Sequence, residues 1–289
     1  MTLLKIVILA MIQGLAELLP VSSSAHVIVA EKLMHIDPSS PQATLFLVML
    51  HTGTMFAVIV YFWRRWQRAF FSSRQQFTEF AQNIILATVI TGIIGFVLKV
   101  VIEHVLKHQH PGAGKAEIEE LFKHLELLSA GLAAAGALIL FSGLRRQRRR
   151  SARGEISLRD SLDIGAVQGL CLPFRGFSRS GATISVGLLR NLTRASAEDF
   201  SFALAVLLTP VVIFLEGRRL IQDHVQTTSP PVSLHDFLPA LLGMCLSFVA
   251  GLVALKVLSR LLERGQWWVF GVYCWLAAGG VLILYHHGY

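Results

Sequence analysis

A carboxylate, Glu17, stands inside an apolar stretch that runs from Leu3 to Leu19. It lies four residues after Gln13 and directly ahead of Pro20-Val21-Ser22-Ser23-Ser24-Ala25-His26. An ionised carboxylate at membrane depth costs several kcal/mol unless it is paired or hydrated, which makes it a candidate for chemistry. On a helix, Gln13 and Glu17 share one face, and Glu17 lies one turn before Pro20, where the helix must break or kink. As a structural group, Glu17 would need hydrogen-bond partners within the bundle. As a functional group, it is a general acid/base or a ligand for a hard cation such as Mg²⁺ or Ca²⁺, which prefer oxygen donors. One carboxylate is a poor cage alone, so phosphate oxygens and water would have to complete the shell. A cap for the next helix accounts for one of the three serines. A serine with a base nearby is the general form of an activated nucleophile, and His26 follows Ser23 by three residues.

A second polar knot, Gly176-Phe177-Ser178-Arg179-Ser180-Gly181-Ala182-Thr183, interrupts another apolar stretch. Arginine keeps its charge, and its planar fork matches phosphate oxygens. Gly176 and Gly181 allow close backbone approach. A helix starting near Ser180 would aim its free N–H groups at the same anion. A snorkelling arginine is the alternative, although apolar sequence flanks Arg179 on both sides. A deep pocket with a carboxylate, hydroxyls, a histidine and an arginine suits phosphoryl transfer, where offsetting charge on the transferring group is the main task. Apolar surroundings suggest that the rest of the substrate is lipid.

The elements that position these residues follow from composition. Of 289 residues, 54% are hydrophobic and 15% charged, with mean hydropathy +0.59. Soluble domains carry about 25% charged residues, so the surplus apolar surface needs lipid around it, and the chain reads as a polytopic membrane protein. Cys171, Cys245 and Cys274 fall in apolar segments without metal-ligand spacing; they are read as small buried hydrophobes. The N-terminal run lacks an Ala-x-Ala cleavage site and is expected to be retained. The net charge of +8 has a local source in Arg145, Arg146, Arg148, Arg149, Arg150 and Arg153. Between apolar spans, such a run is a cytoplasmic topology signal that touches anionic headgroups, not a nucleic-acid site.

Ten apolar segments can be drawn, at roughly 3–19, 21–36, 44–63, 83–106, 127–143, 160–174, 180–192, 200–217, 236–258 and 267–286. Six are long enough to cross a core of about 30 Å. The first, second, sixth and seventh are shorter. They form two pairs broken by Pro/Ser/Gly-rich links, which are candidates for re-entrant hairpins. The halves also repeat. Gln13-Gly14-Leu15 recurs as Gln168-Gly169-Leu170, and Arg64-Arg65 as Arg218-Arg219, at offsets of 155 and 154 residues. Each half holds five segments, an odd number, so the second half enters the membrane inverted. The expected fold is an all-α polytopic helical bundle, an inverted-topology repeat with two re-entrant helix pairs, and its site near the midplane. It forms one membrane domain over 1–289, with repeats at about 1–145 and 160–289 joined by a basic cytoplasmic loop. The loops near 64–82, 145–159, 190–199 and 256–264 hold the larger share of Lys and Arg. That face is cytoplasmic by the positive-inside rule, which leaves both termini and the 107–126 stretch periplasmic.

At the two polar knots the chain closely resembles the undecaprenyl-diphosphate phosphatase family, also called the bacitracin-resistance proteins, over essentially its whole length. Gln13 and Glu17 match a Glu/Gln-x-x-x-Glu signature, and Gly176-Phe177-Ser178-Arg179-Ser180-Gly181 matches a Pro-Gly-x-Ser-Arg-Ser-Gly signature. The resemblance implies removal of the terminal phosphate of a C55 isoprenoid diphosphate, which regenerates the lipid carrier for peptidoglycan and confers bacitracin resistance. It implies divalent-cation dependence and a periplasm-facing site in a bacterial inner membrane. Carried over by position, Glu17 and Gln13 form the acid/metal cluster, and Ser23 and His26 the candidate nucleophile and base. Arg179, Ser178 and Thr183 form the phosphate clamp, with Ser22 and Ser180 as further substrate-binding hydroxyls. A metal-bound water stays open as the nucleophile. Two departures stand out. Leu172-Pro173-Phe174-Arg175-Gly176-Phe177 is one residue longer than the usual Trp-Pro-Gly-Phe, and Ser24-Ala25 replaces Thr-Gly before the histidine. The expected partners are the lipid diphosphate and membrane lipids, with a homodimer as an option and no nucleic acid. A polyprenyl-phosphate transporter or flippase of the same architecture is the alternative.

Overall fold

The computed structural model describes residues 2–36, 40–109, 124–147, 152–226 and 234–288. Arg148 to Arg150 and most of the 107–126 stretch lie outside them. The described residues form ten helices: α1 (Leu3–Leu18), α2 (Ser23–Leu33), α3 (Pro41–Ala69), α4 (Arg74–Gln109), α5 (Leu125–Gln147), α6 (Leu158–Cys171), α7 (Arg179–Leu189), α8 (Arg194–Gln226), α9 (Leu234–Glu263) and α10 (Trp268–His286). Six of them, α3, α4, α5, α8, α9 and α10, are long and apolar enough to cross a membrane. The protein is an all-α, multi-pass membrane protein. Large apolar side chains face outward along these helices, among them Ile85, Val89, Ile93 and Phe96 on α4 and Leu207, Val211 and Phe214 on α8. In water this surface would be unfavourable at roughly 25 cal/mol per Å².

Helices α4 and α8 begin earlier than the apolar stretches at 83–106 and 200–217, at Arg74 and Arg194. Polar flanks extend them, since Gln75 and Glu79, one turn apart, bond at 2.9 Å and such pairs support a helix outside the hydrocarbon.

The other four helices are short. At 1.5 Å per residue, the 16 residues of α1 and the 11 of α7 span about 24 and 16 Å, less than the roughly 30 Å core. Pro20 ends α1, and Leu19 before it is extended at φ −77°, ψ 150°, the region a residue ahead of proline prefers. Ser22 then adopts φ +68° before α2 begins, a costly backbone state for a residue with a side chain. The α6–α7 link runs from Leu172 to Ser178. Gly176 sits there at φ +93°, and a Cβ on it would collide with the Leu128 carbonyl of α5. Ser178 caps α7, its Oγ accepting from the Gly181 N–H at 3.2 Å.

Packing pairs the helices in a regular way. α1 lies against α9 and α6 against α4; α7 lies against α5, which packs on α10; α3 packs on both α9 and α8. The largest core cluster includes the contact of α3 with α8, where Phe62 stacks on Phe202 with ring centroids 5.2 Å apart. One turn on, Arg65 of α3 bonds Glu198 of α8 at 3.0 Å and approaches Asp199 at 3.1 Å, while Ser259 of α9 donates to Glu198 at 2.5 Å. The start of α6 is tied down by Asp160. Burial pushes this carboxyl up, but hydrogen bonds from Ser157, Arg190 and Arg153 outweigh burial and hold it below its ordinary value.

Candidate active site

The two broken hairpins face each other across a cavity of about 320 Å³. Glu17 reaches it from the last turn of α1, Ser22, Ser23 and Ser24 from the first break, and Ser178, Arg179 and Ser180 from the second. Both carboxylate oxygens of Glu17 are used. Arg179 Nη2 donates to Oε1 at 3.0 Å, and Ser23 Oγ donates to Oε2 at 2.5 Å. The Gln13 amide nitrogen donates to the same Oε2 at 3.2 Å and lies 3.1 Å from His51 Nδ1. Residues 162 positions apart in the chain thus share one ion pair. The cost of a carboxylate at this depth is offset by one guanidinium and two neutral donors.

The breaks explain this placement. Pro20 stops α1 just past Glu17, so the chain turns back and the first residue of α2 aims its hydroxyl at the carboxylate. Ser178 caps α7, so Arg179 is its first helical residue, and its guanidinium enters the cavity beside helix N–H groups that favour an anion. Pocket walls on α8 are apolar or weakly polar: Ala205, Leu208, Thr209 and Val212.

Not every expected residue joins this group. His26 is absent from the cavity lining. Its Nδ1 meets the Ser22 carbonyl at 2.7 Å, its Nε2 meets the Tyr273 hydroxyl at 2.8 Å, and the rings stack 5.7 Å apart. Ser23 leans back toward α1, whereas His26, a turn later, ties α2 to α10. Thr183 is fully buried behind Arg179, donating to the Arg179 carbonyl at 2.9 Å and pairing with Ser201 at 2.5 Å. Ser22 bonds Ser24 at 3.2 Å, and Ser180 reaches the Leu19 carbonyl at 3.4 Å, joining the two breaks.

The donor set bears on the metal. Among the described residues, no three His, Cys, Asp or Glu side chains gather as a cluster. One carboxylate, one amide and nearby hydroxyls are hard oxygen donors. They fit Mg²⁺ or Ca²⁺ when substrate phosphate oxygens complete the shell.

A family model described as bacitracin resistance protein BacA matches residues 6–280. The chain belongs to that family. It is 54% identical to "Undecaprenyl-diphosphatase 2" of Acinetobacter baylyi over 98% of each chain. It is 35% identical to "Undecaprenyl-diphosphatase" of Acidiphilium cryptum over the whole of both. A third relative, "Undecaprenyl-diphosphatase 1" of Burkholderia pseudomallei, is 34% identical over 96% of this chain and 95% of its own.

One residue of the cavity, His51, escaped the motif reading. His51 lines the cavity 3.9 Å from Glu17 Oε2. Its signal was present in Leu50-His51-Thr52-Gly53-Thr54, a polar interruption of an apolar span, where an ionisable residue is functional by default. Arg175, the cation that the longer second link adds, lines the cavity as well.

Proposed function

We infer that this protein is an integral-membrane phosphatase that hydrolyses undecaprenyl diphosphate to undecaprenyl phosphate and inorganic phosphate. The activity recycles the lipid carrier for cell-wall synthesis and gives bacitracin resistance. The names of its relatives support the substrate. One observation carries the chemistry: a single carboxylate holds a serine hydroxyl at 2.5 Å on one oxygen and an arginine at 3.0 Å on the other. A carrier would need the clamp alone, whereas the Ser23–Glu17 pair is a nucleophile beside a base.

In this reading the terminal phosphate enters between Arg179 and the N-terminus of α7. Arg179 exchanges its bond to Glu17 for phosphate oxygens and offsets the charge that develops on them. Freed of Arg179, Glu17 takes the Ser23 proton as the serine oxygen bonds to phosphorus and the bridging P–O bond breaks, with lipid phosphate leaving. Glu17 passes that proton to the departing lipid phosphate, takes another from the water that attacks the phosphoserine, and returns it to the Ser23 oxygen as inorganic phosphate departs. A divalent cation would be held by Glu17, with the Gln13 amide turned to present its oxygen in place of the nitrogen that now faces Glu17, and would supply further neutralisation of phosphate charge. Ser22, Ser178 and Ser180 position the phosphate at the cavity floor, and Thr183 braces the backbone of Arg179. His26 orients α2 through Tyr273.

The architecture we propose is an inverted repeat with two re-entrant hairpins. Support comes from two packing relations that survive exchange of the halves, although α3 also packs closely on α9 where α8 barely meets α4: α1 on α9 matches α6 on α4, and α3 meets its counterpart α8. The repeated glycines do the same job. A Cβ on Gly14 would lie 2.6 Å from Ala250, and one on Gly169 would lie 2.8 Å from Ile94. With basic loops inside, the cavity and both termini face the periplasm of an inner membrane.

Purified protein in detergent with Mg²⁺ or Ca²⁺ is expected to release inorganic phosphate from an isoprenoid diphosphate. Glu17→Ala and Arg179→Ala should each lower kcat by about 10²–10⁴-fold. Full turnover by either variant would sink the site assignment.

A further inference from the structure

We propose that Arg175 forms a second phosphate subsite, which grips the phosphate nearer the lipid and makes the enzyme selective for diphosphates. The proposal rests on the phosphatase reading above. Arg175 lines the cavity, its side chain is exposed, and no hydrogen bond or ion pair joins it to any described residue. Arg179 is already engaged with Glu17. The site therefore holds one shared guanidinium and one free one.

The free side chain stands on a fixed backbone. A Cβ on Gly131 of α5 would come within 2.7 Å of the Arg175 carbonyl and 2.8 Å of the Phe177 nitrogen. The Gly176 N–H points at Ser24 Oγ at 3.4 Å, and the Phe177 N–H bonds the Phe174 carbonyl at 3.1 Å. A tethered base with an unpaired, bidentate donor is a preorganised phosphate contact.

Depth assigns the phosphate. The terminal phosphate must reach Ser23 and Glu17. Phe174, Leu208 and Val212 give the cavity an apolar lining along which the prenyl chain would leave. The lipid-side phosphate lies between, beside the residue that follows Phe174. When the bridging P–O bond breaks, its electron pair passes to that phosphate, so Arg175 would meet the leaving group as its charge grows.

The test is steady-state kinetics of the full chain in detergent, with farnesyl diphosphate as substrate and farnesyl phosphate or inorganic phosphate as inhibitors. Arg175→Gln should raise KM for farnesyl diphosphate and Ki for farnesyl phosphate by about 10-fold each, with Ki for inorganic phosphate unchanged. Arg175→Lys, which keeps the charge, should recover most of both. Unmoved KM and Ki in Arg175→Gln would overturn the subsite, as would an equal rise for inorganic phosphate, which would mean a displaced loop. A wild-type protein that releases no phosphate would instead overturn the phosphatase reading itself.

Discussion

His51 acts on the catalytic carboxylate both across a direct 3.9 Å approach and through Gln13. Its Nδ1 lies 3.1 Å from the Gln13 amide and 3.9 Å from Glu17, so Gln13 is strung between the two. With the ring gone, Gln13 can rotate away and Glu17 loses a donor. A lost hydrogen bond of about 1.4 kcal/mol is a tenfold effect on rate. His51→Leu is therefore expected to lower kcat by about tenfold. His51→Gln, which keeps a polar group in reach of Gln13, should retain most activity. Single-turnover measurement of phosphate release separates this from a change in binding. Glu17 and Arg179 were legible as single residues because charge at membrane depth is conspicuous. The pairing of Ser23 with Glu17 instead of His26 was not. Helix spacing says which residues share a face, but here the break at Pro20 turns Ser23 back onto the preceding helix.

At the scale of elements, the site depends on how closely α5 supports the second break. Gly131 and Leu128 leave no room beside the backbone of residues 175–177. Gly131→Ala must push that segment, and a shift of about 1 Å in a positioned group can cost on the order of 10²-fold. We expect kcat/KM to fall by about 10- to 100-fold in Gly131→Ala. Gly92→Ala on α4, where nothing lies within 4 Å of the added carbon, should leave it unchanged. Kinetics on both variants, with thermal unfolding in detergent to confirm their folding, checks the contrast. The short helices themselves were readable from Pro20, Pro173 and the serine-rich links. Their support by α5 was not, because Gly131 looks in sequence like any small residue of an apolar span.

For the whole molecule, the distribution of charge sets the proposed orientation. Basic residues cluster in the loops after α3 and ahead of α6, and Arg65, Glu198 and Ser259 bind α3, α8 and α9 together at that end. Alkaline phosphatase fused after Phe71 is expected to stay inactive inside the cell, and fused after His287 to be active outside. The reverse pattern would place the cavity on the cytoplasmic side. By itself, the sequence determined the membrane class, the helical segments, the two broken pairs, and Glu17 and Arg179 as candidates for the site. Those follow from local chemistry: apolar run length, proline geometry, and the cost of charge without water. Only the tertiary structure decided that Glu17 and Arg179 share one ion pair, that His51 reaches the cavity, and that His26 turns to Tyr273. Those contacts depend on the mutual packing of helices far apart in the chain, which no local pattern encodes.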